Sequence, residues 1–483
     1  MIVLPQYLLP FLGCQLAICG AQNGFSGSQA LLGIGDTLVG QPLRTLVAGG
    51  VAGTNMVNQV FLRTTNASNQ AFLNQRNRRS CQLNADLPFP CGFLEKSYPP
   101  PKSVHKLRPG DIQVIAGLGD SISAGTGALS KTIFEVGSEF RGVAFAAGGI
   151  GTWRHYLTIP NILKQFNPYL YGFSTGITKV GRQRPEDDKK VAFNLAISGS
   201  ESDDVIKQAH RLVEKMFNDP KINAHKDWKM ITIFIGHNDI CGHACEGFKF
   251  YEDKEVSFKS FRRNMQRVLD ILHKDLPRTF VNLIPAGNLG EFLDIGSKPL
   301  ACQAIHQFIC PCLFDDKFTS TLSRFRLRTF LQSYLWAIQD LVSSGRYDTR
   351  EDFTVVIQPA TVNAKIPRTR RNDVDLNYLA PDCFHWSQKL HSNAARALWN
   401  NLLEPIGMKS TDFVKDSVAF LCPTEEFPYL ATSQNNAYSG GSDESHPVEQ
   451  LSNDFVEMMS QRENQNRAQM PFVVKPKIVR LRD

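Results

Sequence analysis

Five short, near-continuous apolar runs constrain this chain more than any other feature: Ile112–Ala116, Val191–Ala196, Met230–Ile235, Phe280–Ile284 and Phe353–Ile357. A strand with one wet face alternates apolar and polar side chains, whereas a strand covered on both faces reads as unbroken apolar sequence. Between these runs lie amphipathic stretches around residues 203–217, 256–274 and 322–344, and another follows at 388–403. Strand, helix, strand at this spacing predicts right-handed crossovers and a parallel sheet. The expectation is a three-layer α/β/α domain over about residues 104–408, with about five parallel strands.

The flanks read differently. Residues 22–103 are rich in Gly, Asn, Gln and Pro and end at Pro99-Pro100-Pro101, so an irregular lead-in is expected there. Residues 409–437 form a short extension, and 438–483 are polar enough to predict an unstructured tail. Residues 1–21 carry no charged side chain, and Leu8–Ile18 has the length of a signal-peptide apolar region, with Cys19 and Ala21 at the small-residue cleavage positions. The leader lacks the usual basic residue after Met1. No later stretch has ~18 consecutive apolar residues, so export without an anchor is expected. Of the 11 cysteines, Cys14 and Cys19 fall in the leader, and the nine that remain suit an oxidising compartment. An odd number leaves one thiol free or paired between chains. Cys81–Cys91 and Cys241–Cys245 are plausible local bridges, and Asn66 heads a glycosylation sequon. The formal charge of +7, without a Lys/Arg-rich run, argues against nucleic-acid binding.

In an open α/β sheet, ligands bind at the carboxyl ends of the strands. Three runs end there in informative residues: Gly119-Asp120-Ser121, Ser198-Gly199-Ser200 and Gly236-His237-Asn238-Asp239. Asp382-Cys383-Phe384-His385 precedes the last helix. Each block alone reads as a turn or a helix cap, and the glycines from 117 to 127 lack the spacing and the lysine of a phosphate loop. Together they supply one chemistry. A serine hydroxyl needs a base within hydrogen-bond reach. His385 is placed to be that base for Ser121, and Asp382 is placed to fix the imidazole tautomer. The backbone N–H of Ser121, the backbone N–H of Gly199 and the side-chain amide of Asn238 form a candidate oxyanion hole.

These blocks resemble the Ser-Gly-Asn-His pattern of the GDSL hydrolases, with Ile122 where that family usually has Leu. Longer wording is also similar to the secreted and membrane-associated phospholipase B proteins of animals, from about residue 89 to 432. It includes Ser103–Ile112, the segments Pro160–Lys164 and Phe166–Pro168, Asp382–Ser387, Ala397–Asn401 and Leu403–Pro405. The resemblance implies an SGNH-hydrolase, flavodoxin-like fold and a Ser121 acyl-enzyme. It also implies phospholipid and lysophospholipid substrates met at a membrane or micelle surface, and no cofactor.

Rival readings attach to several residues. Cys241, His243 and Cys245, with His306, Cys310 and Cys312, could be taken for a zinc site, but the spacing is not a standard one. His237 is expected to line the pocket rather than act as a second base. Asp120 and Asp239 are expected to stabilise their loops, and His391 to be a surface or packing histidine. Phe314, Phe318, Phe325 and Phe330 read as core before they read as an acyl groove. Against the esterase stands a catalytically silent lipid-binding protein on the same fold, which the complete residue set disfavours. A carboxylesterase or acyltransferase acting on other lipids is the closer competitor.

Overall fold

A computed structural model describes residues 80–82, 88–92, 94–181, 187–243, 258–295, 299–314, 320–412 and 420–435. The expected leader, Asn66, Cys245, Phe318 and the tail from 438 lie outside the described residues. In chain order the described elements are β1 (Ile112–Gly119), α1 (Ser121–Ala124), β2 (Ser138–Glu139), α2 (Ile159–Leu163), β3 (Thr178–Lys179), α3 (Asp188–Val191), α4 (Asp204–Asn218), β4 (Trp228–Phe234), α5 (His237–His243), α6 (Phe258–Asp275), β5 (Thr279–Ile284), α7 (Leu300–Ile309), α8 (Thr321–Ser343), β6 (Phe353–Ile357) and α9 (Gln388–Leu403).

The main sheet has strand order β1-β4-β5-β6, and every pairing in it is parallel. All residues of β4 and β5 are buried, as unbroken apolar runs require when both faces are covered. The helices supply the cover by helical periodicity. In α4 the buried side chains are Val205, Gln208, Ala209, Leu212 and Met216, and in α6 they are Phe261, Met265, Val268, Leu269 and Leu272. Helices α4, α6 and α8 pack side by side, while α9 packs with α2. The architecture is the expected α/β one.

One strand needs correcting. Val191–Ala196 is not a fifth regular strand, because Val191 ends the short helix α3 and Ala192 turns the chain with φ of 48°. Only the following residues run along the free edge of β1. Gly117 donates to the Phe193 carbonyl, while Leu195 and Ile197 donate to the Gly117 and Gly119 carbonyls. Tyr171 occupies the earlier part of the same edge, accepting from Ile115 and donating to Gln113. Two short pieces thus share an edge that one strand was expected to fill.

The disulfides also differ from the local pairs expected. Cys91 is bonded to Cys422, Cys241 to Cys310 and Cys302 to Cys383, across separations of 331, 69 and 81 residues. Spacing in sequence says nothing of which loops meet in space, and here the lead-in lies against the C-terminal extension. Phe89 packs edge-on to Phe420, and Leu430 is fully buried while donating its N–H to the Leu107 carbonyl. Cys81 and Cys312 are also disulfide-bonded. With Cys241 and Cys310 bonded to each other and Cys312 also in a disulfide, the zinc reading loses three of its four thiolates. Among the described residues, no helix is long and apolar enough to cross a membrane.

Ile233 in the central strand β4 is fully buried. Ile233→Ala is expected to cost about 2–5 kcal/mol of unfolding free energy, read as a lower urea midpoint with an unchanged slope.

Candidate active site

The carboxyl edge of the sheet gathers the four sequence blocks. β1 and β4 end in register, with Gly119 opposite Phe234. A Cβ at Gly119 would lie 2.1 Å from the Phe234 carbonyl oxygen, and φ there is +146°, so only glycine lets the two strand ends approach this closely. The chain then turns into α1. Asp120 is its N-cap, its Oδ1 accepting from the Ile122 N–H at 3.0 Å, and Ser121 is the first helical residue.

The Asp382–His385 block folds on itself. Asp382 is fully buried, and its Oδ1 accepts from the backbone N–H groups of Phe384 and His385, both at 3.0 Å. Its Oδ2 lies 2.6 Å from His385 Nδ1, and His385 Nε2 lies 2.9 Å from Ser121 Oγ. The carboxylate accepts the Nδ1 proton, which leaves Nε2 as the lone pair facing the serine hydroxyl. Burial alone would push the Asp382 carboxyl up, yet the charge of His385, its hydrogen bond and the two backbone donors together hold it below the usual carboxylate range.

Sequence reasoning did not find what holds this turn. Cys383 adopts a left-handed φ of 57°, rare for a residue with a Cβ, and its disulfide ties it to Cys302 on α7. One turn along α7, His306 Nε2 donates to the Asp382 backbone carbonyl at 2.9 Å. No local signal near Asp382 points to either residue: Cys302 lies 81 positions from Cys383, and His306 lies 76 from Asp382.

Gly199 and Asn238 lie on the neighbouring loops. Gly199 has φ of +84°, and no atom lies within 4 Å of where its Cβ would be, so the space on that side is open. Asn238, the second residue of α5, uses one amide proton to brace the loop by donating to the Ser200 carbonyl at 2.8 Å. Its second amide proton is available to a ligand oxygen. Gln208 of α4 ties the loop to the sheet, accepting from the Gly119 N–H and donating to both the Gly119 carbonyl and Ser200 Oγ. A cavity of about 320 Å³ adjoins this loop, walled by Ser198–Ser200, Asp204, Lys207 and Arg211, and Ser121 and His385 do not line it.

The neighbouring acids and histidines have separate work. His237 was expected to line the pocket, and its two ring nitrogens are both engaged. It is buried, with Nδ1 donating to Asp120 Oδ2 at 2.8 Å and Nε2 accepting from the Gly287 N–H at 3.2 Å. It therefore bridges the Asp120–Ser121 turn to the loop after β5. Asp239 holds its loop as expected, accepting from the Ser202 N–H and hydroxyl, and burial pushes its carboxyl up to about 6. His391 is a packing residue stacked on Phe145 and set against Trp386. Among the described residues, no group of three His, Cys, Asp or Glu side chains could hold a metal ion.

Residues 115–398 match the GDSL-like Lipase/Acylhydrolase family, which spans more than half the chain and all four blocks. The chain belongs to that family. It is also 38% identical to membrane-associated phospholipase B1 of mouse over 354 residues, covering 72% of this chain and 23% of the mouse protein. The rat protein is 38% identical over 384 residues, covering 78% of this chain and 25% of its own, and the human protein 38% over 358 residues, covering 73% and 24%. This GDSL chain thus spans about a quarter of the length of the curated relatives it matches. The resemblance to animal phospholipase B seen in the blocks extends over most of the chain.

Burial, with a smaller push from His385, lowers His391 from 6.5 to about 3. The unfolded chain therefore binds a proton between those values that the folded chain refuses. Stability from this group is present above pH 6.5 and is lost as pH falls towards 3, by up to about 1.4 kcal/mol per pH unit. Urea midpoints taken from pH 7 to 4 should fall less steeply in His391→Gln than in the wild type.

Proposed function

We propose that this chain is a secreted serine esterase that cleaves acyl esters of phospholipids and lysophospholipids. The observation that carries the mechanism is the continuous line from Asp382 through His385 to Ser121, with contacts of 2.6 and 2.9 Å. Ser121 Oγ attacks the ester carbonyl carbon while His385 Nε2 takes the hydroxyl proton. Asp382 stays ionised and stabilises the imidazolium. The oxyanion of the tetrahedral intermediate accepts from the Ser121 and Gly199 N–H groups and from the free Asn238 amide proton. Collapse expels the alcohol, which takes the proton from His385 and leaves the acyl group on Ser121. Water, deprotonated by His385, then attacks the acyl-enzyme and releases the fatty acid.

The substrate class rests on the likeness to phospholipase B1, whose name assigns phospholipid cleavage to the relatives. Export is supported by the uncharged apolar N-terminal sequence and by the disulfides, among them Cys91–Cys422, Cys241–Cys310 and Cys302–Cys383, which fit an oxidising compartment. Asn66 is then the expected site of an N-linked glycan.

The test is fatty-acid release from phosphatidylcholine and lysophosphatidylcholine vesicles or micelles by wild type and Ser121→Ala. Release that vanishes in the variant supports both nucleophile and substrate class, and release that persists in it overturns the mechanism. Cleavage of a short p-nitrophenyl ester without phospholipid cleavage overturns the substrate alone. Asp382→Asn is expected to lower kcat roughly a thousandfold or more, because the imidazole then loses the acceptor that sets its tautomer.

A further inference from the structure

A buried ion pair lies behind the Gly199 loop and takes no part in the chemistry described above. Arg141 is fully buried and Glu139 is 2% exposed. Glu139 Oε2 accepts from Arg141 Nη2 at 2.8 Å and from the Thr178 hydroxyl at 2.6 Å. Its Oε1 accepts from the Ser198 hydroxyl at 2.7 Å and, less closely, from the Ser198 N–H at 3.4 Å. Since Ser198 donates its hydroxyl proton to the carboxylate, the 2.7 Å contact with Thr126 must run the other way, with Thr126 donating to Ser198. Thr126 in turn donates its N–H to the Ser121 carbonyl. Arg141 is itself anchored, through Nε to Thr178 Oγ1 and through Nη1 to the Asn194 carbonyl.

The residue so tightly held is next to Gly199. Ser200 donates its N–H to the Ile197 carbonyl, closing a turn with Ser198 and Gly199 at its centre. Only Gly199 of the two has positive φ, at +84°, which makes this a type II turn. Types I and II differ by a flip of the central peptide, here the one joining Ser198 to Gly199. In one state that peptide offers its N–H to a given side, and in the other it offers its carbonyl. An oxyanion donor needs the first state alone.

We propose that Glu139, acting through Ser198, is the positioning residue that keeps the Ser198–Gly199 peptide in the orientation that donates to the oxyanion. The inference rests on Gly199 serving as an oxyanion donor. Glu139 touches neither the nucleophile nor the base, so its effect must reach the reaction through Ser198, which adjoins the Gly199 peptide and also contacts Thr126.

The experiment measures kcat and KM on p-nitrophenyl butyrate, together with the inhibition constant of a trifluoromethyl ketone, whose adduct with Ser121 carries an oxyanion. Ser198→Ala, which leaves the Arg141–Glu139 pair intact, is expected to lower kcat about tenfold or more with KM nearly unchanged. The inhibition constant should weaken by the same factor, and Ser198→Thr, which restores a hydroxyl, should recover most of kcat. Glu139→Gln should follow Ser198→Ala, and if it does not fold, Ser198→Ala decides. A Ser198→Ala enzyme with wild-type kcat, or one altered only in KM, overturns the proposal. Asn238→Ala separates the two levels of the argument. If Asn238→Ala loses kcat while Ser198→Ala does not, the oxyanion hole stands and the role of Glu139 falls. If neither loses kcat, the oxyanion reading falls and takes this proposal with it.

Discussion

Because β1 and β4 run parallel and finish in register at Gly119 and Phe234, everything that follows those strands emerges at one edge of the sheet. Parallel pairing forces each return through a crossover, so chemistry-bearing loops accumulate at the carboxyl edge instead of alternating between two ends. Ser121 follows β1 by two residues and Asn238 follows β4 by four. The Gly199 loop reaches the same edge along the outside of β1, where Ile197 bonds to Gly119. His385 and Asp382 arrive from the turn before α9, after the last strand of the sheet has been laid down.

The site that results relies on buried polar groups, and each has at least one partner remote in sequence. Asp120 meets His237, Asp239 meets Ser202, Glu139 meets Arg141, Thr178 and Ser198, and the Asp382 turn is held by Cys302 and His306. Burying such groups is costly unless every donor and acceptor is paired, and pairing them fixes geometry as a consequence. The buried Arg141–Glu139 pair is weak as an argument for stability, since desolvation offsets much of the attraction. Its value is better sought in orientation: four donors converge on one carboxylate, and two of them belong to the residue that precedes Gly199.

The sheet itself was readable because its rule is local. An apolar run signals burial on both faces whatever lies elsewhere in the chain, and β6 begins and ends at Phe353 and Ile357 as expected. The same rule failed at Val191–Ala196, where apolar composition could not reveal that a helix end and a left-handed residue consume the first two positions. It was silent on the disulfides for a related reason. Cys91 and Cys422 are brought together only after the lead-in and the extension have both packed beside the same domain.

The sequence by itself determined the kinds of group at the carboxyl edge. Ser121, Gly199, Asn238, Asp382 and His385 are each marked by their place after an apolar run or before a helix, and Asp382 and His385 are close enough in the chain for one turn to join them. Only the tertiary structure decided how those groups are supported. Glu139, Cys302, His306 and Gln208 carry no pattern that links them to the site, because a hydrogen bond or a disulfide between distant residues leaves no periodic trace in sequence. Their partners are chosen by which loops the packed sheet and helices bring within about 3 Å of one another.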